Sequence, residues 1–201
     1  MTKKILAQGA EAIITLRNNE VTKNRIKKSY RISFLDNRLR KSRTKSEAKI
    51  IKKLENIIPV PKIIKTDEKE IIVMEYIDGK KLSDFLEKLD YKKISKIIGE
   101  TITRLHDQDI VHGDLTTSNM IYKEKENKVY LIDFGLAFYS RKIEDKAVDL
   151  HLLQQALEAK HFTIWQDSWK IIINNYKPEK YKEIIQRIKI IESRGRYKDK
   201  Y

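Results

Sequence analysis

The rhythm of apolar and polar positions changes along the chain. Between Ile5 and Arg25 short apolar runs are broken by Gln8-Gly9 and by Arg17-Asn18-Asn19-Glu20, which predicts strands joined by tight turns in a small antiparallel sheet. Thr44-Lys45-Ser46-Glu47 has the spacing of a capping box, and Ala48, Ile50, Ile51 and Leu54 recur at helical period. These predict a helix that begins near Thr44 and ends before Pro59. Ile71 to Tyr76 reads as a buried strand, and Asp78-Gly79 as the turn where the chain changes lobe. From Leu82 helical periodicity runs through Leu105. A loop follows over residues 109–119, then a strand pair enclosing the polar turn Lys123 to Lys128. After Gly135 the helical pattern returns in Val148 to Ala159, Trp165 to Tyr176 and Tyr181 to Ile191. The expected class is α+β: one domain over residues 1–201, with a sheet-rich N-terminal lobe (1–77) and a helical C-terminal lobe (78–201) ending in a short basic tail.

Composition narrows the partners. Lysine and arginine number 43 against 29 acidic residues, a formal charge of +14 that favours polyanions such as nucleotides, nucleic acid or an acidic protein. Eleven of the basic residues fall between Lys23 and Lys49, against Asp36 and Glu47 alone, and Arg194 to Lys200 forms a second cluster. Such runs are commonly solvated faces; they also suit salt-sensitive contact with a phosphate backbone. Absence of cysteine excludes a disulfide framework and a thiolate zinc site, and the four histidines show no metal-ligand spacing. No apolar stretch has membrane-spanning length, and Met1 to Lys4 lacks the organisation of a signal peptide, so a cytoplasmic protein without membrane contact is expected. Trp165, Trp169 and Tyr176 fall at helical spacing and read as core or subunit contact.

The chemistry concentrates in His112-Gly113-Asp114-Leu115-Thr116-Thr117-Ser118-Asn119, followed after the hairpin by Asp133-Phe134-Gly135. Alone, the first segment describes a turn and the second a strand end; in this order and spacing they resemble the catalytic loop and metal-binding turn of protein kinases. That resemblance implies a protein-kinase-like fold, Asp114 as catalytic base, and Asn119 and Asp133 as magnesium ligands. Hard oxygen ligands of this kind suit magnesium. Leu6-Ala7-Gln8-Gly9-Ala10-Glu11-Ala12 resembles a kinase phosphate loop that keeps only its middle glycine, although read alone it equally describes a plain hairpin. Lys23 stands on the third strand, where kinases place the lysine that contacts the phosphates of ATP. Its natural partner is Glu47, a residue that could instead cap its own helix. Met74-Glu75-Tyr76-Ile77 resembles a hinge that offers the backbone of Glu75 and Ile77 to adenine.

Departures from the kinase pattern narrow the family. Gly113 replaces the arginine through which many kinases sense activation-loop phosphate, and the stretch after Gly135 is too short for an extended activation segment. Gln8-Gly9-Ala10-Glu11-Ala12, Lys28-Ser29-Tyr30-Arg31, Leu39-Arg40 to Arg43-Thr44 with Glu47-Ala48, Thr116-Thr117-Ser118-Asn119, Glu144 to Leu150 and Arg194-Gly195-Arg196 together resemble the kinase subunit of the KEOPS complex. RIO-type kinases and aminoglycoside phosphotransferases share His-Gly-Asp. The Asp133-Phe134-Gly135 turn speaks against the first, and the modest helical lobe against the second. The KEOPS resemblance implies a magnesium-dependent ATPase and atypical serine/threonine kinase in threonylcarbamoyl-adenosine modification of tRNA. Its implied partners are the threonylcarbamoyl-transferase subunit, other small KEOPS subunits and, through the basic segments, tRNA. A nucleotide-sensing subunit with little turnover is the competing reading. Arg194-Gly195-Arg196 could fold back toward the nucleotide or form a disordered tail.

Overall fold

The computed structural model of the protein describes residues 4–9 and 11–195, the side chains of residues 194 and 195 excepted. The first lobe opens with β1 (Lys4–Gln8), β2 (Ala12–Arg17) and β3 (Glu20–Arg25). Asn18 and Asn19, which join β2 to β3, have φ of 51° and 59°. Two successive left-handed residues make a turn whose twist suits a two-residue hairpin, and asparagine tolerates that backbone better than most side chains. After α1 (Ser33–Leu54), β4 (Ile63–Thr66) and β5 (Ile71–Glu75) complete an antiparallel sheet in the order β1-β2-β3-β5-β4. α1 packs against β4 and β5.

The second lobe runs β6 (Lys80–Lys81), α2 (Leu82–Phe85), α3 (Tyr91–Asp107), β7 (Ile110–Val111), β8 (Met120–Lys123), β9 (Lys128–Leu131), β10 (Phe138–Tyr139), α4 (Ile143–Lys160), α5 (Trp165–Asn175) and α6 (Tyr181–Gly195). β6, β8 and β9 form one small sheet, and β7 pairs with β10. α3 packs on α5, and α4 on α6. Ile94, Ile98, Ile102 and Leu105 repeat at helical spacing along one face of α3, all fully buried, and meet Leu150, Leu153 and Leu157 of α4 in the main core. Ile50, Ile51 and Leu54 from the last turns of α1 join the same core, so the helix is anchored in both lobes. Tyr176 is fully buried there, and Trp165 and Trp169 are partly buried against the same core, in agreement with the core alternative of their reading.

Three expectations need correction. α1 begins at Ser33, eleven residues before Thr44. Its first turns carry few apolar residues and are fixed by polar contacts instead: fully buried Asp36 accepts from Lys28 N at 3.2 Å and from Arg40 Nε at 2.8 Å. Thr44 and Glu47 lie within the helix. The buried Thr44 hydroxyl has no partner among the described residues, and Glu47 pairs across to Lys23, so neither residue caps. The helical stretch from Leu82 is two helices, because a 3-10 turn at Leu86–Lys88 intervenes and Asp90 opens α3 by accepting from Lys93 N at 3.1 Å. Finally, the helix expected over Val148 to Ala159 begins earlier, at Ile143, with the two-residue strand β10 before it. No helix of the described residues is long and apolar enough to cross a membrane. Ala10 and Arg196, with the tail beyond it, lie outside the described residues.

Candidate active site

Strand periodicity builds the first half of the site. Residues two apart on a strand share a face, so β3 turns Lys23 and Arg25 together toward α1, and both are buried. Lys23 Nζ donates to Glu47 Oε1 at 2.7 Å and to Asp133 Oδ1 at 2.7 Å. The Arg25 guanidinium donates to the other oxygen of Glu47, Oε2. Two cations and two carboxylates thus form one connected network where the lobes meet. Lys23, Glu47 and Asp133 were expected from sequence; Arg25 was not. The signal that would have found it is its parity with Lys23 on the same strand.

The loop from His112 to Asn119 is held from behind. Asp149, fully buried on α4, accepts the backbone N–H of His112 at 2.8 Å and of Gly113 at 2.9 Å. His106 contacts the same carboxylate at 3.2 Å and Tyr176 Oη at 2.8 Å. Burial, with help from Asp107 and Asp149, pushes the Tyr176 hydroxyl far above the usual phenol range, so it stays protonated. The Asp114 N–H donates to His112 Nδ1 at 3.3 Å, which leaves the ring proton on Nε2 to donate to Ile132 O at 3.1 Å. His112 therefore supports the loop. Gly113 has φ of +77°, and a Cβ there would stand 2.5 Å from Leu136 O. Glycine at this position lets the turn after Asp133 lie directly on the catalytic loop, a role beyond the missing arginine.

Asn119 Nδ2 donates to Asp114 Oδ2 at 2.8 Å and to Asp114 O at 2.9 Å, so the two side chains are fixed to each other. The amide oxygen of Asn119 faces away from these bonds. Asp133 sits at φ of +62°, a left-handed backbone that costs a non-glycine residue of order 1 kcal/mol. The turn brings its Oδ1 to Lys23 and, at 3.3 Å, to Gly135 N. Burial alone would raise the Asp133 pKa; the Lys23 ammonium more than offsets this and holds the carboxyl below the ordinary value. Asn119 and Asp133 thus present hard oxygens to one place. Among the described residues no group of three or more His, Asp or Glu could hold a metal alone. That donor set fits magnesium, which keeps waters and shares its shell with substrate phosphates.

A cleft of about 330 Å³ lies between the lobes, lined by Leu6, Ala7, Lys23, Glu47, Glu75, Ile77, Asn119 and Asp133 among others. An adjoining cavity of about 430 Å³ is lined by Ala7, Gly9, Glu11, Ala12, Arg25, Arg43, Asp114 and Gly135. The structure therefore gathers nearly all the expected residues. Gln8 is exposed and lines neither space. Gly9 N donates to Ala12 O at 3.1 Å, closing the phosphate-loop turn, while Glu11 pairs with Arg43 at 2.7 Å. In the hinge, Glu75 N donates to Lys62 O at 2.9 Å, and the backbone of Ile77 makes no backbone hydrogen bond among the described residues.

The description "RIO domain" matches residues 4–150 of the chain. The KEOPS complex subunit Bud32 of Pyrococcus abyssi is 42% identical, with 98% of this chain and 97% of that protein aligned. The chain belongs to the RIO-domain family, among the Bud32 proteins. A probable serine/threonine-protein kinase BUD32 homolog of Archaeoglobus fulgidus is 39% identical over 94% of each chain. A probable bifunctional tRNA threonylcarbamoyladenosine biosynthesis protein of Methanococcus vannielii is 40% identical over 97% of this chain, which corresponds to 36% of that longer protein. The two-lobed α+β architecture is that of this kinase-like family. Asp133-Phe134-Gly135, weighed from sequence against a RIO-type kinase, is thus carried by a chain that the RIO description matches.

Proposed function

We propose that the protein binds ATP with magnesium between its lobes and transfers the terminal phosphoryl group to water or to a serine or threonine hydroxyl, as a KEOPS subunit supporting threonylcarbamoyl-adenosine modification of tRNA. The observation that carries this reading is the convergence of Lys23, Asp114, Asn119 and Asp133, drawn from both lobes, on adjoining cavities. Adenine would lie against Glu75 and Ile77 of the hinge. The loop from Leu6 to Ala12 would cover the phosphates, Lys23 would orient them, and Asn119 and Asp133 would hold magnesium. The metal supplies neutralisation of charge developing on the phosphate oxygens. Asp114, aligned by Asn119, orients the attacking hydroxyl for in-line transfer.

The partner assignment draws on the relatives' names. A counterpart of this chain forms part of one longer bifunctional protein, which supports a close stoichiometric partnership with a second catalytic unit, here the threonylcarbamoyl-transferase subunit. The basic stretch from Lys23 to Lys49 would add tRNA phosphate contacts. One observation favours a second reading, a nucleotide-sensing subunit with incidental turnover: only residues 136–142 lie between Gly135 and α4, leaving little chain there to dock a peptide. Asp114→Asn in a reconstituted modification assay separates the two. The proposal expects retained ATP binding with product formation reduced about a hundredfold; normal product with the variant would establish the sensing role.

A further inference from the structure

Glu47 is bonded to two cations whose surroundings differ. Lys23 lines the nucleotide cleft and also touches Asp133, whereas Arg25 lines only the adjoining cavity, toward the turn after Asp133. A Cβ on Gly135 would stand 3.2 Å from an Arg25 guanidinium nitrogen and 3.3 Å from Lys23 Nζ, so this backbone runs beneath both cations. Arg25 therefore bridges β3, α1 and the metal-binding turn with a single planar group. Arginine suits the task because its charge survives burial and its fork is preorganised.

If Lys23 were the sole partner of Glu47, its turn toward a phosphate would strand a buried carboxylate, which is strongly destabilising. Here Glu47 has one oxygen for each cation. We propose that Arg25 is the positioning residue of this site: it holds Glu47, and with it α1, independently of Lys23, so that the lysine is released for the phosphates while the helix stays in place. Arg43, one helical turn before Glu47 on the same face of α1, adds a second hold by pairing with Glu11 of the phosphate loop at 2.7 Å. The inference rests on the ATP reading for the task given to Lys23, but its structural part does not.

Hydrogen exchange on the nucleotide-free full-length chain tests that part. Lys23→Met should leave exchange across residues 44–54 and 133–137 within about twofold of wild type, whereas Arg25→Gln should accelerate both segments about tenfold and Arg25→Lys should restore most of the protection. Equal loosening of α1 by the two substitutions, or none by Arg25→Gln, would overturn the proposal. Turnover tests the rest: Arg25→Gln should lower kcat about tenfold with KM for ATP changed less than about threefold. An unchanged kcat would overturn the part of the proposal that concerns Lys23. A wild-type protein without turnover would remove the ATP reading alone, since the exchange experiment decides the role of Arg25 without nucleotide.

Discussion

The first lobe buries Lys23, Arg25 and Glu47 in one ion-pair network and Asp36 against Arg40, and its separate buried apolar cluster is only Ala48, Ile72 and Met74. The second lobe instead wraps its site in a broad apolar core from α3, α4, α5 and α6, and its buried polar groups mostly steady backbone. The half that carries Lys23 is held by charges that can be re-partnered. The half that carries Asp114, Asn119 and Asp133 is held by packing, which has a single arrangement. Stability and chemistry should therefore separate in the second lobe and coincide in the first.

Glu47→Ala should show the largest effect. It leaves buried Arg25 without its carboxylate and Lys23 with Asp133 alone, and should cost about 3–5 kcal/mol in urea unfolding while also abolishing turnover. A variant of near-normal stability would break the contrast between the lobes. Leu105→Ala should come next, costing about 3 kcal/mol through the cavity it leaves, with kcat close to wild type at temperatures where it is folded. Loss of kcat in that folded variant would show that packing and chemistry are coupled in the second lobe too.

A smaller effect comes from pH. His161 is buried at the end of α4, with Nε2 3.1 Å from Thr117 Oγ1, and burial lowers its pKa, against the opposing pull of Glu87 and Asp84 and with the help of Lys160. The unfolded chain therefore binds a proton more readily than the folded one, so His161 draws stability down as pH falls below its ordinary value near 6.5. The Asp133 carboxyl, held down by Lys23, should stay ionised over that interval. Unfolding midpoints should thus fall from pH 7 to pH 5, and His161→Gln, which cannot titrate, should flatten the slope. An unchanged slope would remove His161 as a source.

The same division explains what the sequence made legible. The helices of the second lobe could be read because apolar residues such as Ile94, Ile98 and Ile102 mark their buried faces. Asp114, Asn119 and Asp133 could be read because their chemistry depends on local spacing. The start of α1 could not, since its buried positions include Asp36, held by Arg40 and Lys28, and hydrophobic periodicity is blind to ion pairs. Arg25 and Asp149 escaped for a related reason. Each acts on residues more than twenty positions away, Arg25 on Glu47 and Asp149 on His112 and Gly113, and only the folded chain brings them together.

The proposed site draws charges from both lobes into a metal-dependent phosphoryl-transfer centre. Release of phosphate from ATP with magnesium tests it, comparing wild type with Asp133→Ala, alone and with the threonylcarbamoyl-transferase subunit added. Wild-type turnover should stop on chelation of magnesium and fall by about a hundredfold or more in Asp133→Ala; equal release by both proteins, or none by either under any of these conditions, would overturn the proposal.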